Sequence, residues 1–320
     1  MSEAHPDIEA VVSEVPPLHQ FSVEQARGGY ADYLSVEQDL ATLADVRDSV
    51  VPGPDGNNVP IRVYTPEGEG PFPVMVWLHG GGFLLGGIES YDPVCRVLAD
   101  ELGCIVVSPE YRLAPEHKFP AGLRDCYAVV EWAADRTEVL GTDSDKLFVG
   151  GDSAGGNLAA AVSLMARDKG GPDIDYQVLV YPTTTFSYEF ADEASGGESY
   201  FITEPDLQWS WEHYLENKID GMSPYASPLR ANDLSDLPPA TVLTAELDPL
   251  LEEGVAYADR LEDAGVPVEH THYDEMVHSF FTNVAEPRVE QAWDAMAEID
   301  AHLDDAFADD EEEADKLAVA

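Results

Sequence analysis

Basic residues are scarce in this chain of 320 residues: 16 lysines and arginines stand against 63 aspartates and glutamates, a formal net charge of −47. Only five of the bases are lysines: Lys118, Lys146, Lys169, Lys218 and Lys316. With no basic patch to neutralise phosphates, nucleic acid and anionic membrane surfaces are excluded as partners. Cysteine is almost absent. Cys95, Cys104 and Cys126 are odd in number, lack metal spacing and sit in apolar surroundings, so they read as small buried thiols. Long hydrophobic runs are missing too, and nothing approaches the ~20 apolar residues of a membrane span. The opening residues, Met1-Ser-Glu-Ala-His-Pro-Asp7, offer neither the basic region nor the apolar core of a signal peptide. A soluble, cytoplasmic protein is expected.

The acidity is spread along the whole chain, as on a surface adapted to high salt. At ~1 M salt the Debye length is ~3 Å, against ~10 Å at 0.1 M, so brine quenches a repulsion that would strain the fold in dilute buffer.

What is present suffices for one large domain with an appended cap: apolar residues make up 44% of the 320. Strand candidates lie near Ile61–Tyr64, Val74–His79, Cys104–Pro109, Leu147–Gly150, Val178–Tyr181, Thr241–Ala245 and Val268–Tyr273, with helices between most of them. That alternation implies an α/β fold, a mostly parallel sheet with helices on both faces. Residues 1–50 read as helical and outside the sheet domain, which is bounded at 51–304. In the first segment Ser22-Val-Glu-Gln25 is a capping box opening a helix with the apolar stripe Val23, Ala26, Tyr30, Tyr33 and Leu34. A second non-core segment, about 183–222, begins as loop around Ser195-Gly-Gly197. It continues as a helix opened by Thr203-Glu-Pro205, with Trp211, Tyr214 and Leu215 on one face. Residues 305–320, with Asp309-Asp-Glu-Glu-Glu313, read as a frayed acidic tail.

The chemistry is concentrated in two glycine-rich motifs. Gly151-Asp152-Ser153-Ala154-Gly155-Gly156 follows the apolar run Lys146-Leu-Phe-Val-Gly150 and opens the small-residue helix Asn157-Leu-Ala-Ala-Ala-Val-Ser-Leu-Met165. Strand, sharp turn and helix make this a nucleophile elbow, in which Gly151 and Gly155 remove Cβ atoms that would collide around a strained serine. His79-Gly80-Gly81-Gly82-Phe83 follows a second apolar run, Pro73-Val-Met-Val-Trp-Leu78. Its backbone can turn several N–H groups toward one point, as the oxyanion of acyl transfer requires. Neither motif is a phosphate loop, since no G-K-[ST] follows.

In a hydrolase of this kind the acid and then the histidine follow the serine. Asp248 falls just past the strand Thr241–Ala245, and His278 lies in the loop beyond the next strand, at intervals of 95 and 30 residues. A histidine can take and return the serine proton near neutral pH, and a carboxylate fixes its tautomer. Glu246 reads as a supporting or helix-cap acid. His270 and His272 share a strand face, but no third ligand lies nearby to make them a metal site.

These segments, together with Tyr111-Arg-Leu-Ala-Pro-Glu-His-Lys-Phe-Pro-Ala121, Tyr181-Pro182, Ser227-Pro-Leu229 and Asp248-Pro-Leu250, run in one order from about Pro60 to Phe281. In this the chain resembles the hormone-sensitive-lipase-like esterases of the α/β-hydrolase superfamily. The resemblance implies an α/β-hydrolase fold with a helical cap built from the two non-core segments. It implies Ser153 as nucleophile, Asp248 as acid and His278 as base, with the N–H groups of Gly81, Gly82 and Ala154 as the oxyanion hole. His79 would hold the glycine loop by hydrogen bonds, and Asp152 and Glu246 would support the site. The chain departs from the family at His278-Ser279-Phe280, where His-Gly-Phe is usual.

The expected activity is that of a serine carboxylesterase on short- to medium-chain acyl esters, working through an acyl-enzyme and without a cofactor. A small ester is the expected partner, with a homodimer left open. The rival readings are an amidase or deacetylase for a small acylated compound, and a non-catalytic binding protein on a hydrolase scaffold.

Overall fold

In the computed structural model the described residues are 4–8, 16–34, 40–135, 140, 146–186, 201–285 and 289–318. The strands are β1 (Asp45–Pro52), β2 (Asn58–Thr65), β3 (Val74–Leu78), β4 (Ile105–Pro109), β5 (Leu147–Asp152), β6 (Tyr176–Val180), β7 (Ala240–Leu247) and β8 (Val268–Val277). They form one eight-stranded sheet in the order β1-β2-β4-β3-β5-β6-β7-β8. β3, β4, β5 and β6 are buried along their whole length. Their sequences are accordingly near-continuous apolar runs, as in parallel strands covered on both faces. From β4 through β8 every pairing is parallel, so these strand ends all point to one edge.

The main helices are α1 (Val23–Leu34), α2 (Ile88–Glu101), α3 (Ala121–Asp135), α4 (Ala154–Lys169), α5 (Glu204–Tyr214), α6 (Leu251–Asp263) and α7 (Glu290–Ala318). α4 is built largely of Ala, Gly and Leu, is buried from Ala154 to Ala166, and ends on left-handed Gly170.

Two expectations need correction. β1 pairs antiparallel with β2 from Asp45↔Thr65 to Pro52↔Asn58, so the chain before Val50 is not all helical and joins the sheet at Asp45. As an edge strand with only Val51 buried, it is interrupted by charge in the way exposed edges are, and its apolar signal is lost. The acidic run at 309–313 continues the backbone of α7 instead of fraying. β8 also runs on past Tyr273 to Val277.

The two non-core segments meet over the strand ends. Gln25 Oε1 accepts the Ser22 N–H at 3.1 Å and Ser22 Oγ accepts the Gln25 N–H at 3.3 Å, closing the expected capping box on α1. α5 starts with a second box between Thr203 and Asp206. Asp206 Oδ1 also accepts from the backbone N–H and Nδ1 of His19, both at 2.8 Å, tying one segment to the other. Tyr214 of α5 stacks on Phe83 at 3.8 Å. Ser195-Gly-Gly197 lies outside the described residues. Among the described residues no helix is long and apolar enough to cross a membrane.

Candidate active site

Ser153 stands between β5 and α4 with φ 55° and ψ −117°, a left-handed-side backbone that costs a non-glycine residue on the order of 1–3 kcal/mol. The turn closes only because its neighbours lack side chains. A Cβ on Gly155 would strike the carbonyl oxygens of Leu78 and His79, and one on Gly151 would strike Leu78 and Gly155. The turn is anchored by the Ser153 N–H on Val180 O at 2.9 Å and by the Asn157 N–H on Ser153 O at 3.0 Å.

Asp248 follows β7 and His278 follows β8, both buried. Asp248 Oδ1 accepts the Leu250 N–H at 2.8 Å. Its Oδ2 lies 2.7 Å from His278 Nδ1, and His278 Nε2 lies 2.8 Å from Ser153 Oγ. The carboxylate only accepts, which assigns the imidazole proton to Nδ1 and leaves Nε2 to accept from the serine hydroxyl. The Tyr181 ring flanks the imidazole at 4.6 Å. Thus the three residues marked in the sequence, 125 and 30 positions apart by pair, form one hydrogen-bonded line.

The glycine loop leaves β3 beside this line. Gly81 (φ 110°), Gly82 (φ 60°) and Phe83 (φ 66°) are all left-handed, which reverses the backbone within three residues. Ala154 begins α4, where the first N–H groups of a helix have no intrahelical acceptor. Gly81, Gly82, Ser153 and His278 share a narrow cavity of about 50 Å³.

A family model described as alpha/beta hydrolase fold matches residues 75–282. The arylesterase of Saccharolobus solfataricus is 39% identical over 250 residues, 78% of this chain and 80% of that protein. The chain belongs to the hormone-sensitive-lipase-like family of α/β-hydrolases. The carboxylic ester hydrolase LipN of Mycobacterium tuberculosis is 40% identical over 242 residues, 74% of this chain but only 64% of LipN's own length. Among solved structures, a Pyrobaculum calidifontis esterase superposes with a TM-score of 0.86 at 39% identity, covering 93% of this chain and 97% of that one.

The supporting residues of this α/β-hydrolase have definite partners. His79 is buried and its Nδ1–H donates to Gly80 O at 2.8 Å, while the Tyr111 hydroxyl donates to His79 O at 2.7 Å. Burial pushes the His79 pKa down to about 4, so the ring stays neutral. Asp152 accepts the Gly80 N–H at 3.2 Å and the Tyr91 hydroxyl at 2.8 Å. Burial raises its carboxyl to about 6, against the lowering effect of the Tyr91 hydrogen bond. Glu246 Oε2 accepts the Glu275 N–H at 2.8 Å, next to a register shift between β7 and β8. His270 and His272 both meet the Thr244 hydroxyl, at 2.9 and 3.1 Å. Ser279, in the place of the usual glycine, is left-handed with φ 72°, which explains why glycine suits that position.

Glu253 was not singled out in the sequence, where it reads as an ordinary acid in the first turn of α6. It is buried, and its Oε1 accepts from the Thr184 N–H at 2.6 Å, the Thr183 hydroxyl at 3.1 Å and the Thr185 N–H at 3.3 Å. It thereby holds Thr183–Thr185, where the chain leaves β6. Burial raises its pKa to about 8, only partly offset by those donors. Between the ~4.3 of an unfolded glutamate and that value, the folded chain keeps a proton the unfolded chain has released. This group's contribution to stability therefore falls as pH rises through the window and is lost above about 8. Glu253→Gln imitates the protonated form without titrating. Relative to the parent chain it is expected to gain on the order of a few kcal/mol as pH rises across the window. Denaturant titrations of both chains at each end of the window, in concentrated KCl, measure the difference; a pH-independent difference contradicts the expectation.

Proposed function

We propose that this chain is a serine carboxylesterase acting on small, uncharged esters with short- to medium-chain acyl groups, in a protein adapted to high salt. The main support is the hydrogen-bonded line from Asp248 through His278 to Ser153, at 2.7 and 2.8 Å, beside a left-handed glycine loop. Ser153 Oγ attacks the ester carbonyl as His278 Nε2 takes its proton. Asp248 steadies the imidazolium through Nδ1. The negative oxygen of the tetrahedral species is received by the N–H groups of Gly81, Gly82 and Ala154. Collapse breaks the C–O bond, and the alcohol leaves with the proton from His278. Water, deprotonated in turn by His278, then attacks the acyl-enzyme, releasing the acid and restoring Ser153.

The named activities of the relatives, arylesterase and carboxylic ester hydrolase, support the ester as the bond cleaved. For substrate size, the support is the narrow cavity of about 50 Å³ at the serine. It shares Leu18, Tyr30 and Phe201 with a largely apolar groove of about 420 Å³, room for a modest acyl chain. The salt adaptation is supported by where the acids lie. Among the described residues those buried are Asp125, Asp152, Asp206, Asp248 and Glu253, which leaves the bulk of the negative charge toward solvent.

Hydrolysis of p-nitrophenyl esters of graded chain length, beside a matched anilide, in concentrated KCl tests the reading. Turnover is expected to peak among short to medium chains, with the anilide cleaved far more slowly. Cleavage of the anilide in preference to every ester would replace the esterase by an amidase.

A further inference from the structure

A run of three left-handed residues needs something outside regular secondary structure to hold it. In the glycine loop, 79–85, both ends are held by side chains that trace back to α1, the N-terminal cap helix. At the entry, the Gly80 N–H is shared between Asp152 Oδ1 at 3.2 Å and Tyr91 Oη at 3.0 Å. The single proton of the Tyr91 hydroxyl goes to Asp152 Oδ2 at 2.8 Å. Tyr91 Oη therefore only accepts from its remaining neighbours, Gly80 N–H and, at 2.9 Å, the buried Tyr30 hydroxyl of α1. That fixes the direction of the chain of donors: Tyr30 to Tyr91 to the Asp152 carboxylate. Both oxygens of Asp152 accept, one from Tyr91 and one from Gly80, as an ionised carboxylate requires.

At the exit, Arg27 of the same helix donates through Nε to Leu84 O at 2.8 Å and through Nη2 to Ala114 O at 2.9 Å. Glu116 orients the guanidinium from the far side, 2.7 Å from Nη2. The grip passes inward by the backbone, since the Leu84 and Leu85 N–H groups donate to Gly81 O at 3.1 and 2.9 Å and the Ala114 N–H donates to Phe83 O at 3.0 Å. Arg27 and Tyr30 are three residues apart and so leave one face of α1.

We propose that α1 is a positioning element for the oxyanion loop, with Tyr30 and Arg27 holding its two ends so that docking of this helix aims the Gly81 and Gly82 N–H groups. The inference rests on reading that loop as the oxyanion hole of an esterase. It makes the N-terminal segment more than a cover. A helix that merely roofs the pocket touches the ground state and the transition state alike, whereas a helix that aims the donors acts where the negative oxygen forms.

Tyr30→Phe keeps the ring and removes only the hydroxyl, and Arg27→Gln removes the grip on Leu84. In each variant kcat is expected to fall between about tenfold and a hundredfold, the scale of a small misplacement of oriented groups, with KM close to that of the parent. The affinity for a trifluoromethyl ketone, whose adduct places an oxyanion in the hole, should fall by the same factor. Amide hydrogen exchange in 79–85 should quicken while the unfolding midpoint in concentrated KCl stays put. A rise in KM with kcat untouched, or unchanged kcat, analogue affinity and exchange, overturns the inference. If one variant does not fold, the other decides. If the parent chain hydrolyses no ester, the functional reading falls by itself, and the exchange rates alone still decide whether α1 fixes the loop.

Discussion

Ser153→Ala is expected to abolish ester hydrolysis, with kcat lower by on the order of 10⁶-fold, the loss recorded when a serine hydrolase loses its nucleophile. Alanine supplies no Oγ to form the acyl-enzyme, and water would have to attack the ester directly, with only the oxyanion donors and binding left to assist. The fold should survive. The substitution removes one hydrogen bond, Ser153 Oγ to His278 Nε2, while His278 keeps Asp248 at 2.7 Å and the Tyr181 ring at 4.6 Å. The turn itself is held by backbone bonds to Val180 and Asn157, and alanine meets the left-handed φ no worse than serine does. Circular dichroism and p-nitrophenyl ester turnover, both in concentrated KCl, separate the two effects. A folded variant that keeps most of its activity would remove Ser153 from the mechanism.

Transfer from concentrated KCl to dilute buffer is expected to unfold the parent chain and extinguish its activity. A net charge of −47 on 13962 Å² of surface leaves about 300 Å² per net charge, so neighbours sit roughly 17 Å apart, to be compared with Debye lengths of ~10 Å at 0.1 M salt and ~3 Å at 1 M. In brine each net charge is insulated from the next by several screening lengths. In dilute buffer the fields overlap, and the repulsion acts on a stability that is commonly only ~5–15 kcal/mol. Local ion pairs such as Arg62 with Asp48, Glu89 and Asp92 relieve single spots, but 16 basic residues cannot balance 63 acidic ones. Far-UV circular dichroism and activity followed along a decreasing KCl series provide the check, and full retention of both at low ionic strength would refute the salt adaptation.

Much of the site was legible residue by residue because its requirements are local. Ser153 needs a strand, a tight turn and a helix in succession, and small residues at Gly151 and Gly155 advertise the turn. The glycine loop announces itself in the same way, since only glycine is at ease at Gly81 and Gly82. β3 to β6 were visible as apolar runs. β1 was not, because an exposed edge strand carries Asp45, Arg47 and Asp48 where a buried one would carry aliphatics. Tyr30 was seen only as part of an apolar stripe, and Arg27 and Tyr91 were not seen at all. Their roles lie in contacts spanning 57 and 61 positions, and nothing in the neighbouring residues foretells such a partner. Glu253 escaped for the same reason, since an acid in the first turn of a helix looks alike whether it faces water or the Thr183–Thr185 strand exit.

By itself the sequence determined the family, the strands from β2 to β8 and the alternation with helices, the two glycine-rich turns and the acidity of the chain, all of which depend on residue type and near neighbours. Only the tertiary structure decided that the imidazole of residue 278 points its far nitrogen at the hydroxyl of residue 153, that α1 reaches the glycine loop, and that Glu253 is entombed. Those outcomes depend on which strands lie side by side. Strand adjacency is set by the burial of the whole sheet, to which no single stretch of chain holds the key.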